Sequence, residues 1–482
     1  MATITSTGIG SGLDVNSIVT QLMALESRPL NILQQAKSGL DTKLSAIGTL
    51  QSRMSALRDA SNALTSVSLW NQTVANSANA AALKVSTSAG AAAGRYAVQV
   101  DKLASTQTLA STAFSGPGAV IGEGSLTIEL GSWTGEPAPT GFTAKSGAAP
   151  VVVTIGPDDT SLEKIRDKIN QSEAGVTATL INDASGTRLS LRSKETGAEN
   201  AFRITASETV DDGNPATGLS AFAYTAMAAS PMTRSQTAIN AEATINGIPI
   251  TSASNTLEGV ADGLTLTLSQ VTTSEVEVNV APDTAAIQKS IETFVSAFND
   301  VANYIRDQTK YNPDTKVGGT LQGDRLVVSL QAQLRAIVNQ GSEASDTFER
   351  LTDIGISFTS TGTLSINSSR LTDALGNLPE LRKVLAADGT DTASSGFIDR
   401  FKDFASSVLG AEGAFENRTA SLKGQISLNQ KSQESMERRL TQTEERLRRQ
   451  YQALDTAMSS LSGTADYLTQ QLTLIANTSG RG

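Results

Sequence analysis

The chain has neither cysteine nor histidine. Without cysteine there is no disulfide and no thiol nucleophile. Without histidine the commonest general base is missing, and together the two absences remove most zinc and copper sites. A Ser-His-Asp triad cannot be built. No catalytic residue, no cofactor site and no metal site is therefore expected. Large apolar side chains are also scarce: two tryptophans, aromatics at 4%, and a 39% hydrophobic fraction in which alanine is prominent. No run of 18 apolar residues occurs, so no membrane insertion is expected. The opening residues lack the basic and apolar regions of a cleaved secretory signal. A net charge of −10 makes nucleic acid and anionic membrane surfaces poor partners.

What the chain does have is a seven-residue register near its C-terminus. Leu440, Leu447, Leu454, Leu461, Leu468 and Ile475 are spaced by sevens, and Tyr451, Met458, Ala465 and Leu472 lie three residues before the last four of them. This is the a/d pattern of a helix that buries a narrow stripe against other helices. In the first half of the stripe the companion positions hold Glu437 and Glu444. Glu434 with Arg438, Glu444 with Arg448 and Glu445 with Arg449 are i,i+4 pairs in the favoured order. Their interleaving makes the Arg438–Arg449 stretch a solvated coiled-coil face rather than a nucleic-acid patch. The expected oligomerisation and assembly seam is Leu440, Leu447, Tyr451, Leu454, Met458, Leu461, Leu468, Leu472 and Ile475.

The N-terminal region repeats the theme. Asp14 is placed to cap a helix carrying Ile18, Leu22 and Leu25, which is expected to stop at Arg28 before Pro29. A second helix follows with Leu33, Leu40, Ile47 and Met54 at sevens, and with Leu50, Leu57 and Leu64. Between the termini the period changes from helical to alternating. Strands are expected through Tyr96–Val100, Leu126–Leu130, Val151–Ile155, Val176–Leu180, Leu189–Leu191, Leu264–Leu268 and Val276–Val280. Thr160 and Glu163 form a capping box for a helix with Leu162, Ile165 and Ile169. Asn246-Gly247 marks a hairpin, and residues 205–236 are expected to be loop-rich. After Pro282 the helical period returns with Ile287–Ile305, Val327–Ile337 and Phe397–Val408, interrupted by a small hairpin at Ile354–Ile366.

The expected fold is α+β: a helical leg with long coiled-coil-like terminal helices, and a large inserted β-rich head of two subdomains. The expected divisions are 1–42 and 430–482 for the terminal helices, and 43–80 and 282–429 for the leg. Residues 81–130 and 237–281 form one head subdomain, and 131–236 the outer one. Gly8-Ile-Gly-Ser-Gly12 superficially matches a phosphate loop, but no strand precedes it and no Gly-Lys-Ser/Thr follows. Asp211-Asp-Gly-Asn-Pro215 and Asp388-Gly-Thr-Asp391 match no complete calcium loop and are expected to be turns.

Taken as strings, several segments resemble the flagellar filament-capping proteins, the second hook-associated protein family. Gly10-Ser-Gly-Leu-Asp14, Ser17-Ile-Val19, Gln21-Leu-Met23 and Pro29-Leu30 carry the N-terminal motif, whose matching residues are Gly10, Gly12, Leu13, Asp14, Ile18, Leu22 and Pro29. Leu162–Asn170, Gly175–Ala178 and Ser193–Gly197 are similar to a motif shared with hook and flagellin proteins. Thr244–Ile248, Gly263–Leu266, Phe294–Asn299, Leu321–Asp324 and Ile354–Ile356 resemble the family's C-terminal region. Leu378–Leu385 departs from the family, which more often has Asn-Pro and an aromatic end there.

The resemblance implies a homo-oligomer of five subunits at the filament tip, extracellular and exported through the flagellar secretion channel without a cleaved signal. It implies flagellin, the hook–filament junction proteins and a cytoplasmic export chaperone as partners, and a role in folding and polymerising flagellin and preventing its leakage. Two alternatives remain at this point: another axial junction protein, or a surface adhesin whose head binds host mucin or glycan.

Overall fold

The computed structural model describes residues 14–135, 139–226 and 230–479, with side chains as far as 474. Gly10, Gly12, Leu13 and the side chain of Ile475 lie outside the described residues. The chain divides into two compact units, residues 1–69 with 284–482, and residues 70–283. The division falls at 69/70 rather than at the expected 80/81, because residues 73–77 already form a strand of the second unit.

The first unit opens with α1 (Val15–Glu26), whose start is capped by the Asp14 carboxylate accepting from the Ser17 amide at 3.0 Å. The break comes at Ser27, not at Arg28 as expected, and Arg28 opens α2 (Arg28–Thr65). Pro29 then falls in the first turn of α2, where a missing N–H costs no intrahelical bond. Ile47, Leu50, Met54, Leu57 and Leu64 of α2 are buried, while Leu33 and Leu40 are half-buried. A single turn, α3 (Val67–Trp70), leads out of the unit.

Among its described residues the second unit holds sixteen strands and one helix of regular length. In chain order these are β1 (Thr73–Ser77), β2 (Leu83–Thr87), β3 (Gly94–Lys102), β4 (Thr108–Ala110), β5 (Gly124–Thr134), β6 (Gly141–Ala144) and β7 (Val151–Ile155). Then come α4 (Leu162–Gln171), β8 (Val176–Asp183), β9 (Gly186–Ser193), β10 (Ala201–Glu208) and β11 (Thr233–Gln236). The unit closes with β12 (Ala241–Ile245), β13 (Ile248–Ser252), β14 (Thr256–Ala261), β15 (Leu264–Leu268) and β16 (Val276–Pro282). The strand pairings are antiparallel throughout, in the orders β1-β16-β3-β12-β13, β14-β15-β2, β11-β4-β9-β8, and β10-β5 with both β6 and β7 on the far side of β5.

These sheets enclose two apolar cores. One gathers Val98, Val100, Leu257, Leu266, Val278 and Val280; its buried members come from residues 83–104 and 241–280, with Ala75 packed against them. The other draws on residues 109–238 and sets α4, through Leu162, Ile165 and Ile169, against the sheets around Leu126, Ile128 and Leu191. The expected head boundary at 130/131 thus cuts through β5, whose buried side chains all belong to the second core.

Two local expectations change. The capping box does not form: Ser161 is the N-cap without a side-chain bond. The Leu162 and Glu163 amides donate instead to the Ala119 and Pro117 carbonyls, so the helix start needs no side-chain acceptor. The stretch 205–236 is also more than loop. Strand β10 runs to Glu208, and a 3-10 turn at Leu219–Phe222 drives Leu219, Phe222 and Tyr224 into the core. The Asn246-Gly247 turn does form, with φ of 49° and 82°, joining β12 to β13.

The chain re-enters the first unit with α5 (Thr284–Thr309), followed by the short hairpin of β17 (Tyr311–Asn312) and β18 (Val317–Gly318). Next are α6 (Arg325–Asn339), the hairpin of β19 (Ile356–Phe358) and β20 (Leu364–Ile366), α7 (Ser368–Leu375), α8 (Leu378–Ala386), α9 (Phe397–Leu409) and α10 (Ala414–Ser479). Helices α2, α5 and α9 pack together. Phe294, Phe298 and Phe401 meet there, with ring centroids 5.3 and 5.7 Å apart. The fold is α+β, and α2 and α10 run unbroken through the expected divisions at 42/43 and 429/430.

Candidate assembly surface

Helix α10 has 66 residues, about 99 Å at 1.5 Å per residue. Its base is fixed by packing and by charge. Phe415 and Leu422 are buried. Arg418 donates from Nε and Nη2 to Asp324 Oδ2 at 2.9 and 2.6 Å. The other oxygen of Asp324 caps α6 by accepting from the Leu326 amide at 3.1 Å. Further along, Gln433 Nε2 donates to the Leu33 carbonyl at 3.4 Å, and Arg448 Nη1 to Asn16 Oδ1 at 3.1 Å. The partners' numbers fall as those of α10 rise, so α10 runs antiparallel to α2 and α1.

Along this packed part Ile426, Asn429, Gln433, Met436, Leu440, Thr443, Leu447 and Tyr451 are half-buried and spaced by threes and fours, with Glu444 half-buried beside Thr443. The companion positions of Leu440 and Leu447 are therefore Met436 and Thr443, four residues before each. Glu437 is exposed. Glu444 is half-buried and accepts from Nε and Nη2 of Arg448 at 2.9 and 2.8 Å. Of the three expected i,i+4 pairs this one alone closes; Glu434–Arg438 and Glu445–Arg449 do not.

Beyond Asp455 the helix changes character. Every residue from 456 to 474 is exposed. Leu454, Met458, Leu461, Leu468 and Leu472 stand between 42% and 65% exposed, and Tyr467 and Leu474 add apolar surface beside them. Asp466 is the sole charged residue from 456 to 474. The structure thus divides the expected seam: Leu440, Leu447 and Tyr451 lean on the chain's own α1 and α2, while Leu454, Met458, Leu461, Leu468 and Leu472 have no described residue covering them. Of the N-terminal motif, Ile18 and Leu22 are half-buried, and Asp14 and Pro29 are exposed.

A long helix with an open apolar stripe binds by laying that stripe against other helices. The sequence reading missed the polar contacts along the intramolecular packing, Gln433 with Leu33 and Arg448 with Asn16, and the Asp324–Arg418 anchor. Met436 and Thr443 were readable as an alternative companion seam. Elsewhere, the carboxylates of Glu208, Asp211 and Asp212 come together, but each already serves a turn or helix start. They accept from the amides of Ser220, Gly213 and Asn214 at 2.6, 2.8 and 2.9 Å. The Thr217 hydroxyl and the Asn214 amide also hold the Asp212 carboxyl below its ordinary range.

Comparison with known proteins gives consistent matches. Three family models fit: the flagellar hook-associated protein 2 N-terminus over residues 11–107, the flagellin hook IN motif over 142–195, and the flagellar hook-associated protein 2 C-terminus over 238–463. The chain is 30% identical to flagellar hook-associated protein 2 of Escherichia coli K12, across 98% of both chains. It is 32% identical to that of Salmonella typhimurium LT2, across 98% of this chain and 99% of the relative. The crystal structure of the D1-D2-D3 domains of the flagellar cap protein FliD from Escherichia coli matches with a TM-score of 0.58 at 30% identity, covering 78% of this chain and 99% of that one.

Proposed function

Because the chain belongs to the flagellar hook-associated protein 2 family, we propose that it caps the bacterial flagellar filament and assembles there through the open stripe of α10. The carrying observation is that stripe, apolar and almost uncharged over residues 456–474 and covered by no described residue. Water is a poor solvent for such a surface, and the chain's own described residues do not shield it.

In this reading the protein is a homo-oligomer at the filament tip, meeting the hook–filament junction proteins first and flagellin as it arrives. It holds incoming flagellin in place while it folds and polymerises, and blocks its escape. The work is positional and calls for no catalytic group. Before export the same stripe needs a cover, which a cytoplasmic chaperone supplies, and the uncovered subunit then passes through the flagellar channel. Purified protein added from outside to cells that lack a cap and shed flagellin tests the proposal. Filaments are expected to grow and flagellin in the medium to fall. Continued shedding in the presence of folded protein would contradict it.

A further inference from the structure

Among the described residues of the β-rich unit, one sheet edge is open and undefended. Strand β7 pairs with β5 on one side, from Ile128 opposite Val151 to Gly124 opposite Ile155. No described residue pairs with its other side. Val152 is 59% exposed and Thr154 is exposed beside it. All five residues are β-branched, which suits a strand, and from Ser146 to Pro157 the chain carries no charge.

The other edges of these sheets are guarded, as folded proteins generally guard theirs. On β8 the Asn170 side chain imitates a neighbouring strand, accepting from the Ala178 amide at 2.7 Å and donating to its carbonyl at 2.9 Å. On β10 the Tyr224 backbone exchanges two bonds with Ile204, at 2.9 and 3.0 Å. Strand β13 carries Pro249. Strands β14 and β11 are interrupted by register shifts, and β6 has four residues. The Thr87 hydroxyl of β2 donates to the Thr73 carbonyl of β1 at 2.6 Å.

We propose that β7 is a homotypic docking edge that pairs antiparallel with β7 of a second copy of this chain. Neutrality is the first argument for that occupant, because the strand offers no charge with which to select a charged partner. Self-complementarity is the second. With Val153 opposite itself, Val152 faces Thr154 and Val151 faces Ile155, so every cross-strand pair is β-branched on β-branched. A two-fold contact of this kind closes at two copies. It is separate from the α10 stripe, whose partner is a helix. Five residue pairs make a small interface, below the roughly 1,000 Å² of a lasting one, so the contact is brief and best detected by trapping.

The absence of cysteine makes trapping clean, since introduced thiols are the only ones present. Full-length Val152→Cys and Thr154→Cys proteins, each first checked for an unchanged melt, are mixed and exposed to diamide in the Leu454→Ser/Leu461→Ser background. That background keeps the α10 stripe from supplying the encounter. The mixture is expected to give disulfide-linked dimer several-fold faster than either protein alone, and several-fold faster than Val210→Cys, a residue 84% exposed in the same unit. A mixed rate equal to the Val210→Cys control would overturn the proposal. So would Val152→Cys alone linking as fast as the mixture, because the register would then be wrong.

Discussion

Replacing Leu454 and Leu461 with serine is expected to abolish assembly while leaving the subunit's melting temperature within about 2 °C of the unmodified protein. The two side chains are 47% and 64% exposed. Surface substitutions of that kind usually stay within about 0.5 kcal/mol, and 1 kcal/mol moves a unit of this size by roughly 2–4 °C. In an assembly that covers the stripe, each leucine contributes about 1.5–3 kcal/mol. Losing both weakens association by about two to four orders of magnitude. Thermal melting of the dilute variant, paired with light scattering at high concentration, separates the two effects. A fall of many degrees with oligomer size unchanged would place the stripe in the subunit's core. Motility is a poor readout, because the same face is the one the export chaperone would cover. The variant is better supplied from outside to cap-less cells, where it is expected not to stop flagellin shedding.

The opposite behaviour is expected at the base of the same helix. Arg418→Met leaves the Asp324 carboxylate, 4% exposed, without its cation. Breaking such a pair from one side costs about 3–5 kcal/mol, because a buried charge stays behind. The melting temperature of the helical unit should then fall by on the order of 10 °C. Adding Asp324→Asn removes the stranded charge and is expected to restore part of the loss, a coupling that a double-mutant cycle measures. The amide oxygen of Asn can still accept from the Leu326 amide, so the α6 cap survives in that double variant. A loss below about 1 kcal/mol for Arg418→Met would mean that the pair is solvated and that α10 is held by apolar contacts alone.

These contrasting expectations follow from where the heptad register changes its partner, which the sequence does not reveal. The same seven-residue spacing runs from Leu440 to Ile475, and period alone cannot say which turns lean on the chain itself. The answer depends on an antiparallel neighbour 400 residues away, with Leu33 opposite Gln433 and Asn16 opposite Arg448. Long helices and strongly alternating strands were legible for the opposite reason, since their signal is local. α5, with Ile287 to Ile305 on one face, and β15 and β16 with their alternating leucines and valines, carry their own pattern.

Elements with only one sizeable apolar side chain, and so no alternation to read, were not legible. β1 (Thr-Val-Ala-Asn-Ser) and β4 (Thr-Leu-Ala) are strands because neighbours pair with them. The capping box failed at Thr160 because two carbonyls from residues 117 and 119 reached the helix start first. The family resemblance pointed to an oligomer at the filament tip, and the seven-residue register to assembly through the terminal helices. It could not divide the stripe into a packed half and an open half.

Hydrogen exchange across α10, in the verified monomer and in the assembled cap, tests the central claim most directly. In the monomer, amides of residues 456–474 are expected to exchange at nearly unprotected rates, because an isolated helical stretch with no covering partner opens readily. Those of residues 415–447 should exchange slowly. On assembly, protection should appear over 456–474 and change little elsewhere in the helix. Strong protection of 456–474 in the monomer, or no gain there on assembly, would contradict the account.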